Sequence, residues 1–175
     1  MLEYYYTKKE LRQLLKSLVV LIDTREKENS HIISYFQQQG INYKQRALNF
    51  GDYSFMLPEN KKLGINRDIY FNSQVAVERK GSLGELSGNF AQNRAQFRNE
   101  MIRGKEANII LLIEDSYSNL INHNYRTGLQ PKAFLGSLTS WQHRYDLNVN
   151  FIPKELAGNF IYHQLYYFCR ELVKY

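Results

Sequence analysis

Two short apolar runs constrain the fold most. Val19 to Ile22 and Asn108 to Ile113 are too short for helices and have the character of strands buried in a core. Segments with apolar residues at helical spacing lie around and between them. Leu11, Leu14, Leu15 and Leu18 form one stripe, opened by a capping box at Thr7 and Glu10. Ile32, Ile33, Tyr35 and Phe36 form a second helix, stopping at Gly40. Leu83, Leu86, Phe90, Phe97 and Met101 form a third, opened by a Ser82–Glu85 capping box and irregular at Gly88. Pro131 suits the first turn of a helix with the stripe Phe134, Leu138, Trp141 and Tyr145. Tyr43 to Leu48 and Asp52 to Leu57 read as two strands of a hairpin turning at Gly51. Val75 to Arg79 and Val149 to Ile152 are further strands, and Glu155 to Lys174 is a last helix. The expected architecture is α/β: a mixed central sheet with helices on both faces.

A chain of 175 residues suits one domain, and its 43% hydrophobic content suffices for a core. A single cysteine, Cys169, excludes an internal disulfide framework and a cysteine-based zinc site, and points to an inert core thiol in an intracellular protein. The four histidines show no metal-ligand spacing. No apolar run approaches a membrane span, so no membrane partner is expected. A formal charge of +6 suits a polyanionic partner, nucleic acid first among them.

The chemistry-bearing residues fall at strand ends. Asp23 ends the first strand, Asp52 follows Gly51, and Glu78 lies near the end of the strand that begins at Val75. Lys80 is two residues beyond Glu78, so the two side chains share a face of that strand. Carboxylates brought together repel unless a cation joins them. Oxygen ligands of this kind suit a hard divalent ion, and a lysine beside them suits metal-assisted phosphodiester hydrolysis. The lysine would orient the attacking water or help to deprotonate it.

The strings IDTRE (Ile22 to Glu26), FGDYSF (Phe50 to Phe55) and VERK (Val77 to Lys80) resemble the nuclease domain of the XPF-type structure-specific endonucleases. That family carries a GD…ERK signature within the PD-(D/E)xK nucleases, whose core is restriction-endonuclease-like and three-layered. The resemblance runs on through the Asn108 to Ile113 strand and Ser137 to Phe151. It implies Asp23, Asp52 and Glu78 as metal carboxylates, the Arg79 backbone carbonyl as a further ligand, and Lys80 as the catalytic lysine. Mg²⁺ or Mn²⁺ is the implied cofactor. Arg25 would stand near the scissile phosphate, with Glu26 in a secondary role.

One position departs from the family pattern. The acid expected four residues after Lys80 is replaced by Gly84, with Glu85 next to it. Glu85 either takes over that place or serves as the capping partner of Ser82. The resemblance implies an endodeoxyribonuclease acting on flaps, forks or other branched DNA and leaving 5′-phosphate and 3′-hydroxyl ends. The alternatives are a non-catalytic DNA-binding or scaffold subunit, and a restriction-like or junction-resolving member of the wider superfamily.

The remaining readings concern grip and partners. Arg94 breaks an apolar line and either meets a phosphate or pairs with Glu100 or Glu106. Arg98, Arg103 and Lys105 extend its basic face. Lys8, Lys9, Arg12 and Lys16 form another run of charge, and such runs are ordinarily solvated faces. Either offers sequence-independent phosphate contacts. Lys61, Lys62 and Arg67 are expected to overhang the catalytic edge, gripping DNA or forming a plain mobile hairpin. Tyr4, Tyr5 and Tyr6 either stack on bases or pack on the domain. The last helix has two adjoining apolar stripes, either fully buried or shared with a partner such as a second copy. Residues 1–175 read as one stand-alone nuclease domain, with an N-terminal helical extension over 1–18 and a C-terminal helix over 155–175. Without the helix-hairpin-helix domain usual in the family, targeting would come from the domain itself, a dimer mate or another protein.

Overall fold

The computed structural model describes residues 6–173. Helix α1 (Lys8–Lys16) starts at the expected Thr7–Glu10 capping box and leads into strand β1 (Val19–Ile22). Helix α2 (Ser30–Gln38) follows, then β2 (Asn42–Gln45) and β3 (Tyr53–Leu57). A short β4 (Ile69–Tyr70) precedes β5 (Val75–Lys80). Helices α3 (Leu83–Ala91) and α4 (Arg94–Arg103) lead to β6 (Asn108–Ile113). A short α5 (Tyr117–Ile121), α6 (Pro131–Tyr145), β7 (Asn148–Phe151) and α7 (Ala157–Val173) complete the described chain.

The strands form one mixed sheet in the order β2-β1-β3-β5-β6-β7, with β4 paired to β3. Strand β2 runs parallel to β1, and β3 runs antiparallel to both β1 and β5. Strands β5, β6 and β7 are parallel. The expected hairpin between β2 and β3 does not form, because β1 lies between them. Helix α2 carries the chain over the sheet, so β2 returns parallel to β1.

Alternation along the central strands builds two cores. Val20, Ile22, Val75, Val77, Ile110 and Leu112 face α1, α2 and α7. Ala76, Ile109, Leu111 and Ile113 face α3, α4 and α6, where Phe90, Phe97, Phe134 and Trp141 pack. This is the three-layer, restriction-endonuclease-like arrangement expected from the sequence.

Two local expectations change. The long helix after β5 breaks at Gln92 and Asn93 rather than at Gly88, and both of their N–H groups turn back to the Gly88 carbonyl. The last helix begins at Ala157, after a 3-10 turn at Lys154–Leu156, and Lys174 lies outside the described residues, as do Tyr4 and Tyr5. Tyr6 packs on the body of the domain and donates to the Leu63 carbonyl at 3.1 Å. Cys169 is buried, which pushes its thiol up to about 12. No helix of the described residues is long and apolar enough to cross a membrane.

Candidate active site

The carboxylates meet at the edge where β1 and β5 end and β3 begins. Gly51 makes this possible. Its φ is +70°, and a Cβ there would meet the Ala76 Cβ at 2.6 Å, so only glycine fits the turn. The backbone then stitches three strands together. The Asp23 N–H donates to the Asp52 carbonyl at 2.8 Å, and the Asp52 N–H to the Val77 carbonyl at 2.8 Å. The Arg79 N–H closes the link on Asp52 Oδ2 at 2.8 Å. The carbonyl of Arg79 leaves the strand on the side of its N–H, and so faces Asp52 as well.

Glu78 and Lys80 share the α4 face of β5, as their spacing requires. Lys80 Nζ donates to Glu78 Oε1 at 2.6 Å and lies 4.8 Å from the centre of the Phe97 ring. Both side chains are buried. Glu78 Oε2 is buried too and has no hydrogen-bond partner among the described residues. Burial, followed by repulsion from Glu100 on α4, pushes the Glu78 carboxyl up to about 7 against the pull of Lys80. Burial and the charges of Glu78 and Glu26 raise the Asp52 carboxyl well above its ordinary range. Lys80 moves upward, because Glu78 outweighs the cost of burial, so its ammonium stays charged.

Asp23 is differently placed. It is buried, and its carboxylate accepts from the Arg25 N–H at 2.8 Å, Arg25 Nε at 2.7 Å, Arg25 Nη2 at 3.2 Å and the Leu48 N–H at 2.7 Å. Burial works against its charge, but these donors hold its pKa below the usual carboxylate range. Both oxygens are thus engaged by the chain itself. Among the described residues, no group of three or more His, Cys, Asp or Glu side chains stands together as a metal cage. The ready carboxylates of this edge are Asp52 and Glu78.

The Arg79 side chain, a candidate DNA contact on the sequence, is instead engaged inside the protein. It lies on the opposite face of β5 from Glu78 and is buried. Its Nε and Nη2 donate to Glu114 at 2.7 and 2.9 Å, and its Nη1 to Glu26 Oε1 at 2.7 Å. Glu114 also meets His31 Nε2 at 2.7 Å. Glu26 therefore supports Arg79, the secondary place expected of it. Glu114, Glu100 and His31 escaped the sequence reading as parts of the site. Glu114 had a weak signal, since it directly follows an apolar run that reads as a buried strand.

Glu85 does half of each expected task. Its N–H donates to Ser82 Oγ at 3.1 Å, but its carboxylate accepts from the Gly81 N–H at 2.9 Å instead of closing a capping box. Its other oxygen is 3.9 Å from Lys80 Nζ. Arg94 pairs with neither Glu100 nor Glu106. It donates to the Phe90 carbonyl at 3.2 Å and lies 5.3 Å from the Trp141 ring centre. Arg94 and Arg98 are exposed on α4.

Lys61 and Lys62 do not overhang this edge. Their segment leaves the end of β3, and Met56 in that strand pairs with Val19 at the start of β1. The loop therefore lies at the far end of the sheet, where Lys61 pairs with Glu59 at 3.3 Å.

Comparison with known proteins bears on the fold and the family. None of the curated proteins compared matches the chain. The fold is similar to that of XPF from Aeropyrum pernix, with a TM-score of 0.62 and 18% identity over 88% of this chain and 66% of that one. It is equally similar to XPF from Aeropyrum pernix in complex with DNA, with a TM-score of 0.60, 17% identity and the same coverage. The chain thus spans just under two thirds of the length of those proteins. The sequence model of the ERCC4 domain matches residues 22–163, from the last residue of β1 into α7. That span holds every carboxylate of the candidate site and well over half of the chain, which therefore belongs to the ERCC4 domain family.

Proposed function

We propose that this protein is a divalent-cation-dependent DNA endonuclease that hydrolyses phosphodiester bonds at the Asp52–Glu78–Lys80 edge. Its substrate is branched DNA such as flaps and forks, and its products carry 5′-phosphate and 3′-hydroxyl ends. The observation that carries the reading is Glu78, with one oxygen on Lys80 and the other buried and unpartnered. Such an oxygen is costly unless a donor or a cation meets it. Asp52 lies near enough to Glu78 for their charges to repel, and the Arg79 backbone meets Asp52 along the same edge, so the candidate donors are all oxygens and fit Mg²⁺ or Mn²⁺. When bound, such an ion supplies charge neutralisation at the phosphate and lowers the pKa of a coordinated water.

The chain's own residues complete the chemistry. The Lys80 ammonium, charged and fixed by Glu78, orients water or a phosphate oxygen; its raised pKa makes it a poor base. The Arg25 side chain is 64% exposed beside the site and is the group that meets the scissile phosphate. Asp23 aims Arg25 and pins the Leu48 segment, and it serves as an ion ligand once Arg25 turns to DNA. Arg94 and Arg98 line the α4 side for further phosphate contacts. That a protein of this fold is known in complex with DNA favours DNA as the polymer. The same reading takes residues 1–175 as one intracellular nuclease domain, acting alone or as a homodimer.

Cleavage of forked, flapped and plain duplex DNA with Mg²⁺ or Mn²⁺ tests the proposal. Asp52→Asn and Glu78→Gln are expected to slow cleavage by at least about a hundredfold. Equal rates in these variants would overturn the site. Tight DNA binding without cation binding by calorimetry would assign a scaffold role instead.

A further inference from the structure

The sheet is not covered evenly. On one face α1, α2 and α7 pack across the core. On the other, α3, α4 and α6 lie over β5, β6 and β7. Over β1 and β3 that second face carries a small apolar patch of Leu21, Leu48 and Met56, with Val19 and Tyr70 beside it. Glu78 and Lys80 project to this same face, and the half of the sheet beside the active edge is covered there by the Leu48 segment and Tyr70 instead of a helix, with Leu21, Leu48 and Met56 buried beneath them.

The charges along it indicate what it accommodates. Strand β2 pairs Lys44 with Leu21, and the Arg46 N–H donates to the Ile22 carbonyl at 2.9 Å, level with the start of the Asp23 turn. Lys44 and Arg46 alternate onto one face, about 6.6 Å apart along the strand. That is near twice the roughly 3.4 Å rise per base pair of duplex DNA. Both turn to Tyr70. Lys44 Nζ lies 3.4 Å from its hydroxyl, and the Arg46 guanidinium 3.9 Å from its ring centre. No ion pair among the described residues engages either cation. Arg25 continues the row to the active edge, with Nη2 donating to the Leu48 carbonyl of the same patch at 3.1 Å.

Two unpaired cations held side by side repel, and a polyanion removes that cost. A second copy of the chain would set the same cations against each other across a two-fold axis. We infer that the helix-free surface over β2, β1 and β3, formed by Lys44, Arg46 and Tyr70, is the track on which the DNA backbone lies as it leaves the active edge. Arg46 and Lys44 are its phosphate contacts, and Tyr70 is the platform that holds them extended. The inference rests on the reading of this protein as a DNA-acting enzyme, but its test needs no cleavage.

Binding of a labelled forked duplex is measured by fluorescence anisotropy in the presence of a chelator, over a range of salt concentrations. Lys44→Gln with Arg46→Gln is expected to weaken binding about tenfold and to reduce the slope of log affinity against log salt by about two. Arg46→Gln alone, at an exposed position, is expected to reduce it by about one. Glutamine at Lys8, Lys9, Arg12 and Lys16 together removes more charge from α1 on the opposite face and is expected to leave the slope unchanged. An unchanged slope in the double variant, with its melting temperature retained, would overturn the track. So would an equal loss in the α1 variant, or a concentration-dependent self-association that the double variant abolishes. A wild-type protein that binds with the expected slope but never cuts DNA would overturn the endonuclease reading and leave the track standing.

Discussion

Lys80 holds one oxygen of Glu78 at 2.6 Å and leaves the other, equally buried, without a partner. The carboxyl therefore keeps its proton to about pH 7, whereas the ordinary value is 4.5. Between those limits the folded chain binds more protons than the unfolded one, so this group's contribution to stability falls as pH rises. A divalent cation competes with the same proton. Cation affinity by calorimetry is expected to rise about tenfold per pH unit below about 7, with proton release, and to level off above. The cation-induced rise in melting temperature should likewise be larger at pH 8 than at pH 5.5. A flat affinity across that range would remove Glu78 from the ion site.

The Arg79 clamp predicts a different kind of loss. Glu114 is buried and takes two bonds from Arg79 and one from His31. Burial opposes its charge, yet these partners keep its carboxyl below the ordinary range. Its contribution to stability is therefore present at neutral pH and lost as pH falls through that lowered value. Glu114→Ala takes away two of the three carboxylate bonds of a buried guanidinium, leaving it on Glu26 alone, and is expected to cost about 3 kcal/mol in a denaturant melt. Arg79→Met combined with Glu114→Leu removes both buried charges, leaves only the Glu26 carboxyl, whose neutral form burial already favours, and should recover part of that loss. The Arg79 N–H to Asp52 survives in the double variant, so cation binding should persist. If the double variant were no more stable than Glu114→Ala, the clamp would not be the cause.

Gly51 fixes how the edge is assembled. Alanine there meets both a φ of +70° and a 2.6 Å approach to the Ala76 Cβ. The expected cost is about 3 kcal/mol of stability, the sum of backbone strain and overpacking. Gly40, also at positive φ with nothing within 4 Å, isolates the backbone part. Gly40→Ala should therefore cost about 1–2 kcal/mol, and equal losses at the two positions would show that the contact with Ala76 relaxes freely.

What was legible in the sequence was local or periodic. The buried runs became β1 and β6, the Thr7–Glu10 box capped α1, and the two-residue spacing put Glu78 and Lys80 on one face. The family strings led to the GD turn and the ERK strand. What escaped depended on which strands become neighbours. Placing β1 between β2 and β3 broke the expected hairpin, and the antiparallel run of β3 along β1 sent the Lys61 loop away from the site. The strand alternation that joins Glu78 to Lys80 also turns Arg79 to the opposite face, where its partner Glu114, legible only as an acid at the end of a buried strand, meets it because β6 lies beside β5. Asp23 was legible as a strand-end acid, whereas its engagement by Arg25 and Leu48 required the fold of the Arg46 to Phe50 segment.

The Gly84 departure can be decided by two substitutions. Glu85 caps the Gly81 N–H with one oxygen and stands 3.9 Å from Lys80 with the other. Glu85→Gln keeps an acceptor for Gly81 but removes the charge facing Lys80. Because Glu85 is half exposed, solvent screens that charge, and cleavage is expected to slow only about threefold to fivefold with no change in melting temperature. A Cβ at Gly84 meets nothing closer than Ser82 Oγ at 3.5 Å, so an aspartate fits in the first turn of α3, where negative charge is favourable. Gly84→Asp added to Glu85→Gln should restore the rate if an acid near Lys80 is what the site requires. A Glu85→Gln variant that cuts at the full rate would reduce Glu85 to a helix cap.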